Sequence, residues 1–182
     1  MSDRGVSASV SDQSSMSQPT GETWGLTVPA GFPETTPRNP QLDALRHSLA
    51  ALGTVTLTVT GDSMIPTLHH MKDSVVLAPF TDADWPPRRG QIVYAQRADG
   101  GQVMHRVAKV VSGGVILNGD GQVWLEGPIP RERVFAKTVA LRRNGRMIKA
   151  DSRAAEIYGQ AWLTLRPLRR KMFALVRKVK GL

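Results

Sequence analysis

The sequence predicts a mainly β fold, in which an antiparallel β domain lies between a short N-terminal helix and a basic C-terminal helix. Two observations support this prediction. The spacing of apolar residues changes from helical to alternating at Thr54, and short apolar runs separated by glycine pairs then continue to about residue 150. A chain of 182 residues is long enough for one such domain and an appendage.

The first element is a helix preceded by a polar tail. Residues 1–39 are rich in Ser, Thr, Pro and Gly, and we predict a disordered tail because so few apolar side chains offset the entropy cost of ordering. Asn39 and Pro40 are typical of a helix start, and Gly53 is typical of a helix end. Leucines spaced three or four apart between them predict an amphipathic helix over residues 40–53.

Residues 54–150 are predicted to form the β domain. Val55, Leu57 and Val59 alternate with threonines, which is the pattern of a half-buried strand. Further strands are predicted over residues 74–78, 91–97, 102–111, 115–118 and 134–142. Asn144-Gly145 predicts a tight hairpin at the end of this series. No long helical pattern interrupts the domain, which favours antiparallel pairing.

Residues 151–182 are predicted to end in a basic amphipathic helix that Pro167 can open. Residues 157–182 carry seven Lys and Arg and no acid, and setting these aside lowers the net charge of the chain from +9 to +2. The positive charge therefore belongs to the tail, and we expect no nucleic-acid-binding core. Residues 167–180 either contact an anionic membrane surface or pack on the β domain with a solvated basic side.

Composition excludes several classes of protein. No apolar run approaches the ~20 residues of a membrane-spanning helix, and the N-terminus lacks the apolar segment of a secretory signal peptide. We therefore expect a cytoplasmic or peripheral membrane location. The absence of cysteine excludes disulfides, thiolate metal sites and a cysteine nucleophile. No metal or cofactor is expected.

One serine and one histidine are the candidates for chemistry. Ser63 follows the first strand within Gly61-Asp62-Ser63-Met64-Ile65-Pro66-Thr67-Leu68, a constrained turn of the kind that can hold a nucleophile. His105 lies in a strand and shares one face with Val103 and Val107. Of the other histidines, His47 lies on the polar side of the first helix, and His69 and His70 follow Ser63 too closely to turn back onto it.

These residues carry a resemblance to a known family. The stretch 61–68 resembles the serine box of the signal peptidase I superfamily, which also contains the LexA-type repressors. Four more segments follow in the order of that family, and they cover much of residues 54–142: Asp73-Ser74-Val75-Val76-Leu77, Arg89-Gly90-Gln91-Ile92-Val93, Val103-Met104-His105-Arg106-Val107 and Leu117-Asn118-Gly119-Asp120. His105 stands where bacterial members have lysine, so the chain resembles the histidine-type archaeal and endoplasmic-reticulum enzymes. Those enzymes have a membrane anchor just before the serine box, whereas here we expect the polar tail and the helix over residues 40–53.

The resemblance implies a serine endopeptidase that cleaves leader or signal-like segments. Ser63 would be the nucleophile, with its own N–H as the oxyanion donor, and His105 the general base. Asp120 or Glu126 would orient the histidine, and Asp120 is favoured because it follows a strand at a turn. The substrate would be a peptide or protein bound as an extended strand, with small residues near the scissile bond. The alternative is a catalytically silent or self-cleaving LexA-like regulatory or peptide-binding domain.

Overall fold

A computed structural model describes residues 39–180, with side chains undescribed at 170 and 175–180. The predicted tail therefore lies outside the described residues, except for Asn39. So do the side chains that complete the predicted apolar and basic faces of the last helix. No helix within residues 39–180 is long and apolar enough to span a membrane.

Residues 39–180 form three α-helices and eight strands. The helices are α1 (Pro40–Leu52), α2 (Arg153–Thr164) and α3 (Arg166–Lys180). The strands are β1 (Val55–Thr58), β2 (Asp73–Pro79), β3 (Ile92–Gln96), β4 (Gln102–Val111), β5 (Gly114–Asn118), β6 (Glu126–Pro130), β7 (Val134–Arg143) and β8 (Arg146–Lys149). The prediction of a mainly β, antiparallel protein is therefore confirmed.

All the strands belong to one antiparallel sheet in the order β1-β2-β7-β3-β4-β5-β6, and β8 pairs with the far half of β7. Asn144 and Gly145 both have positive φ in the turn between β7 and β8, as the predicted hairpin requires. β1 and β6 stand at the two ends of the strand order.

Side chains alternate between two apolar layers, one on each face of the sheet. In β3, Ile92 lies in the layer that contacts α1, and Val93 and Ala95 lie in the other layer with Val103 and Val107 of β4. α1 begins as predicted, since the Asn39 side chain accepts from the N–H groups of Gln41 and Leu42. Leu45 and Leu49 of α1 belong to the layer that contains Ile92.

Two elements differ from the predictions. β6 contains two prolines and only one buried residue, Ile129, so no strand was predicted there; an edge strand tolerates proline because its outer N–H groups need no partner. The predicted C-terminal helix is α3, and it is preceded by α2, a helix that was not predicted. Ser152 caps α2 by accepting from the Ala155 N–H, and α3 follows after Leu165.

The pair of helices packs against the β domain through aromatic and arginine side chains. Trp162 of α2 donates its indole N–H to the Asp120 carbonyl at 3.1 Å. Arg169 of α3 is fully buried, although the sequence analysis assigned it to the exposed basic side of the tail. The first turns of α3 are therefore attached to the β domain. Lys171 remains exposed, and the predicted face made by residues 175–180 is outside the described side chains.

Candidate active site

Ser63 lies in a turn that two apolar anchors hold in the core. Met64 and Leu68 are buried in the apolar layer under α1, and the Leu68 N–H donates to the Met64 carbonyl at 2.9 Å. The Ser63 carbonyl accepts from the Gly121 N–H at 2.8 Å. No hydrogen bond from the Ser63 N–H is found among residues 39–180.

Gly119 and Gly121 allow the loop after β5 to approach this turn. A Cβ atom at Gly119 would lie 2.6 Å from the Ser63 carbonyl oxygen, and one at Gly121 would lie 2.9 Å from the Asp62 carbonyl oxygen. Side chains at these positions would push the loop and the turn apart. The glycines therefore fix where Ser63 stands relative to the end of β5.

His105 connects Ser63 to a carboxylate. Its Nε2 lies 3.0 Å from Ser63 Oγ, and its Nδ1 lies 2.7 Å from Glu126 Oε2. A carboxylate only accepts hydrogen bonds, so the Glu126 contact places the proton on Nδ1 and leaves Nε2 to accept from the serine hydroxyl. The His105 side chain is almost fully buried, and that of Glu126 is 18% exposed.

Glu126 has a second cationic partner. Its Oε1 forms an ion pair with Arg97 Nε, at the end of β3. Burial alone raises the pKa of the Glu126 carboxyl, but the hydrogen bond from His105 and the charges of His105 and Arg97 bring that pKa below its ordinary value. Glu126 is therefore ionised at neutral pH and can stabilise an imidazolium.

Asp120 lies elsewhere, which corrects the preference for it drawn from the sequence. Both of its carboxylate oxygens accept from Arg106 Nε, at 2.8 and 3.0 Å, and the residue is fully buried. The reason is geometric. Neighbouring strand residues point to opposite faces, so Arg106 holds Asp120 on one face of β4 while His105 meets Glu126 on the other.

The histidines that follow Ser63 in the chain have other partners. His70 accepts from the Gly61 N–H at 2.8 Å and so braces the turn before Ser63, and His69 lies against Asp73.

Among residues 39–180 no group of three or more His, Cys, Asp or Glu could hold a metal ion. Arg97 was not singled out from the sequence, and its position directly after an apolar strand gives no signal of its partner.

A cleft of about 140 Å³ opens beside Ser63 and His105. One wall is made by residues 57–61, which include the end of β1, and the other by residues 102–105 of β4. The outer edge of β1 has no strand partner within residues 39–180. The cleft thus joins an unpaired strand edge to the serine and histidine.

Comparison with protein-family models, with curated proteins and with solved structures gave no match. The site is therefore interpreted from its own geometry and from the motif resemblance described above.

Proposed function

We propose that the protein is a serine endopeptidase in which Ser63 is the nucleophile, His105 the general base and Glu126 the residue that orients the histidine. The observation that carries this proposal is the continuous contact from Ser63 Oγ through the imidazole to Glu126 Oε2. The resemblance of residues 61–68 and 103–107 to the histidine-type signal peptidases supports the same assignment.

The reaction follows from these contacts. Ser63 Oγ attacks the scissile carbonyl and passes its proton to His105 Nε2, while the Ser63 N–H donates to the oxyanion. The imidazolium then returns the proton to the leaving amine as the C–N bond breaks. A water molecule repeats the sequence on the acyl-enzyme, releasing the carboxylic acid and the free serine.

The substrate that suits this cleft is an extended peptide. The unpaired edge of β1 offers backbone donors and acceptors to an added strand beside Ser63. By resemblance, we propose leader or signal-like segments with small residues near the scissile bond as the natural substrates.

The test is digestion of a diverse peptide library with mass-spectrometric reading of new termini. Wild-type protein should yield cuts with a shared sequence preference, and Ser63→Ala should lower their rate by at least about 10³-fold. Circular dichroism should show that the variant is folded, because Ser63 Oγ contributes little to the core. An intact library with folded wild-type protein would favour the catalytically silent, peptide-binding alternative.

We further propose that α3 contacts an anionic membrane surface. Leu168 and Met172 of α3, and Leu165 just before it, are each at least 39% exposed near the exposed Lys171, a combination that suits the lipid interface. Sedimentation with phosphatidylcholine vesicles, with and without phosphatidylglycerol, tests this. Leu168→Gln with Met172→Gln should weaken binding to the anionic vesicles, whereas Leu52→Gln, which alters an exposed leucine on α1, should not. Equal binding by both variants would overturn the proposal.

A further inference from the structure

Arg97 shares the carboxylate that holds the candidate base. Glu126 uses Oε2 for His105 and Oε1 for Arg97, so each carboxylate oxygen has one cationic or proton-donating partner. The three side chains differ in exposure, from 2% for His105 through 18% for Glu126 to 39% for Arg97. Exposure therefore increases along this series of contacts, from the imidazole to the guanidinium.

The backbone of Arg97 is fixed by the hairpin that also carries His105. The Arg97 N–H donates to the Gly101 carbonyl at 2.8 Å, and the Arg97 carbonyl accepts from the Gly100 N–H at 3.1 Å. Arg133 Nη1 also donates to that carbonyl at 3.1 Å. Because β3 and β4 are paired on either side of this turn, the backbones of Arg97 and His105 belong to one hairpin.

Few other charged groups surround the imidazole. Besides Glu126 and Arg97, the titratable residues that the structure describes at or next to the cleft are Tyr94 in its wall, Asp62 beside Ser63, and His70, which accepts from the Gly61 N–H. Asp120 is paired with Arg106 on the opposite face of β4. Within residues 39–180, Arg97 is thus the cation in contact with the carboxylate that holds His105.

We propose that Arg97 is a positioning residue of the peptidase site, which aims Glu126 Oε2 at His105 and offsets part of the carboxylate charge. A bare carboxylate at 2.7 Å would hold the imidazole in its protonated form up to a higher pH. The guanidinium pairs with the other oxygen of this carboxylate and so offsets part of that attraction. The inference rests on the proposed function and deepens it.

The test measures kcat/KM against pH for wild type, Arg97→Gln, Arg97→Lys and Arg131→Gln, with an uncharged peptide taken from the library. Arg131→Gln is the matched control, because it removes the same charge from an ion pair with Asp82 outside the cleft. In Arg97→Gln the acid limb should move up by about half to one pH unit. Arg97→Lys should recover at least half of that shift, and Arg131→Gln should leave the limb unchanged.

A second measurement separates this inference from the proposed function. The pH titration of the His105 ring protons by NMR, in the same variants, needs no turnover. The midpoint should rise in Arg97→Gln and not in Arg131→Gln. If no peptide is cleaved, the proposed function fails while the titration still decides the role of Arg97. An unshifted midpoint, or a change confined to KM for acidic peptides, would overturn the inference.

Discussion

Two adjacent residues of β4 assign different partners to the two candidate carboxylates. His105 faces the cleft and contacts Glu126, whereas Arg106 faces the other side and contacts Asp120. The sequence indicated Ser63 and His105 because each stands in a recognisable local pattern. It did not resolve the acid, because Glu126 reaches His105 only through the pairing of β6 with β5 and of β5 with β4. Arg106 was the available signal that Asp120 has another partner, since a buried arginine in a strand needs a carboxylate.

Removing the charge of Glu126 should lower activity, whereas removing the charge of Asp120 should lower stability. Glu126→Gln should leave the fold intact and lower kcat/KM by about 10³- to 10⁴-fold, because it no longer holds the productive tautomer of His105. Asp120→Asn should lower the free energy of unfolding by about 3–5 kcal/mol, because it leaves the charge of Arg106 buried without its partner. Urea unfolding and peptide cleavage, measured on both variants, check this. If Asp120→Asn were folded and stable and lost more activity than Glu126→Gln, Asp120 rather than Glu126 would be the residue that orients His105.

At the scale of elements, α2 and α3 support the loop that meets the serine turn. Arg169 donates to Asn118 Oδ1 at 2.7 Å and to the carbonyls of Gly119, Gln122 and Trp162 at 3.1, 3.1 and 2.6 Å. The same loop supplies the Gly121 N–H to the Ser63 carbonyl. Local patterns predicted α1 and most strands. The burial of Arg169 could not be predicted, since a basic residue at helical spacing normally faces solvent.

Arg169→Met should destabilise the protein by about 3 kcal/mol or more, because the apolar side chain leaves several buried acceptors unpaired. Activity should fall with it, since the loop positions Ser63. Lys171→Met is the matched control on the same helix, and its stability should change by less than about 0.5 kcal/mol. Thermal unfolding of both variants decides the point. Equal melting temperatures would mean that α3 does not support the loop.

At the scale of the whole molecule, Asp73 joins the serine segment to the far end of β7. Its carboxylate accepts from Arg143 Nε at 2.8 Å and from the His69 N–H at 2.8 Å. The hydrogen bond from Arg143 lowers the pKa of Asp73 from 3.8 to about 2. A lowered carboxyl pKa stabilises the folded state above pH 4, and this contribution is lost as the pH falls towards 2.

The free energy of unfolding should therefore decline between pH 4 and pH 2, and Asp73→Asn should flatten the curve in that window. Asp82→Asn serves as the control, because the Asp82 side chain is 97% exposed. Urea titrations at half-unit pH steps provide the measurement. A decline of the same steepness in Asp73→Asn and wild type would show that the Asp73 contact does not contribute to acid stability.

The most direct measurement of the central claim is the site of covalent modification by a peptide phosphonate built on the best-cleaved library sequence. Intact mass and peptide mapping should find one adduct, on Ser63, in the wild-type protein. His105→Gln should slow its formation by at least about 100-fold, because the serine loses its base. An adduct on another residue, or equal labelling of wild type and His105→Gln, would contradict the proposed peptidase site.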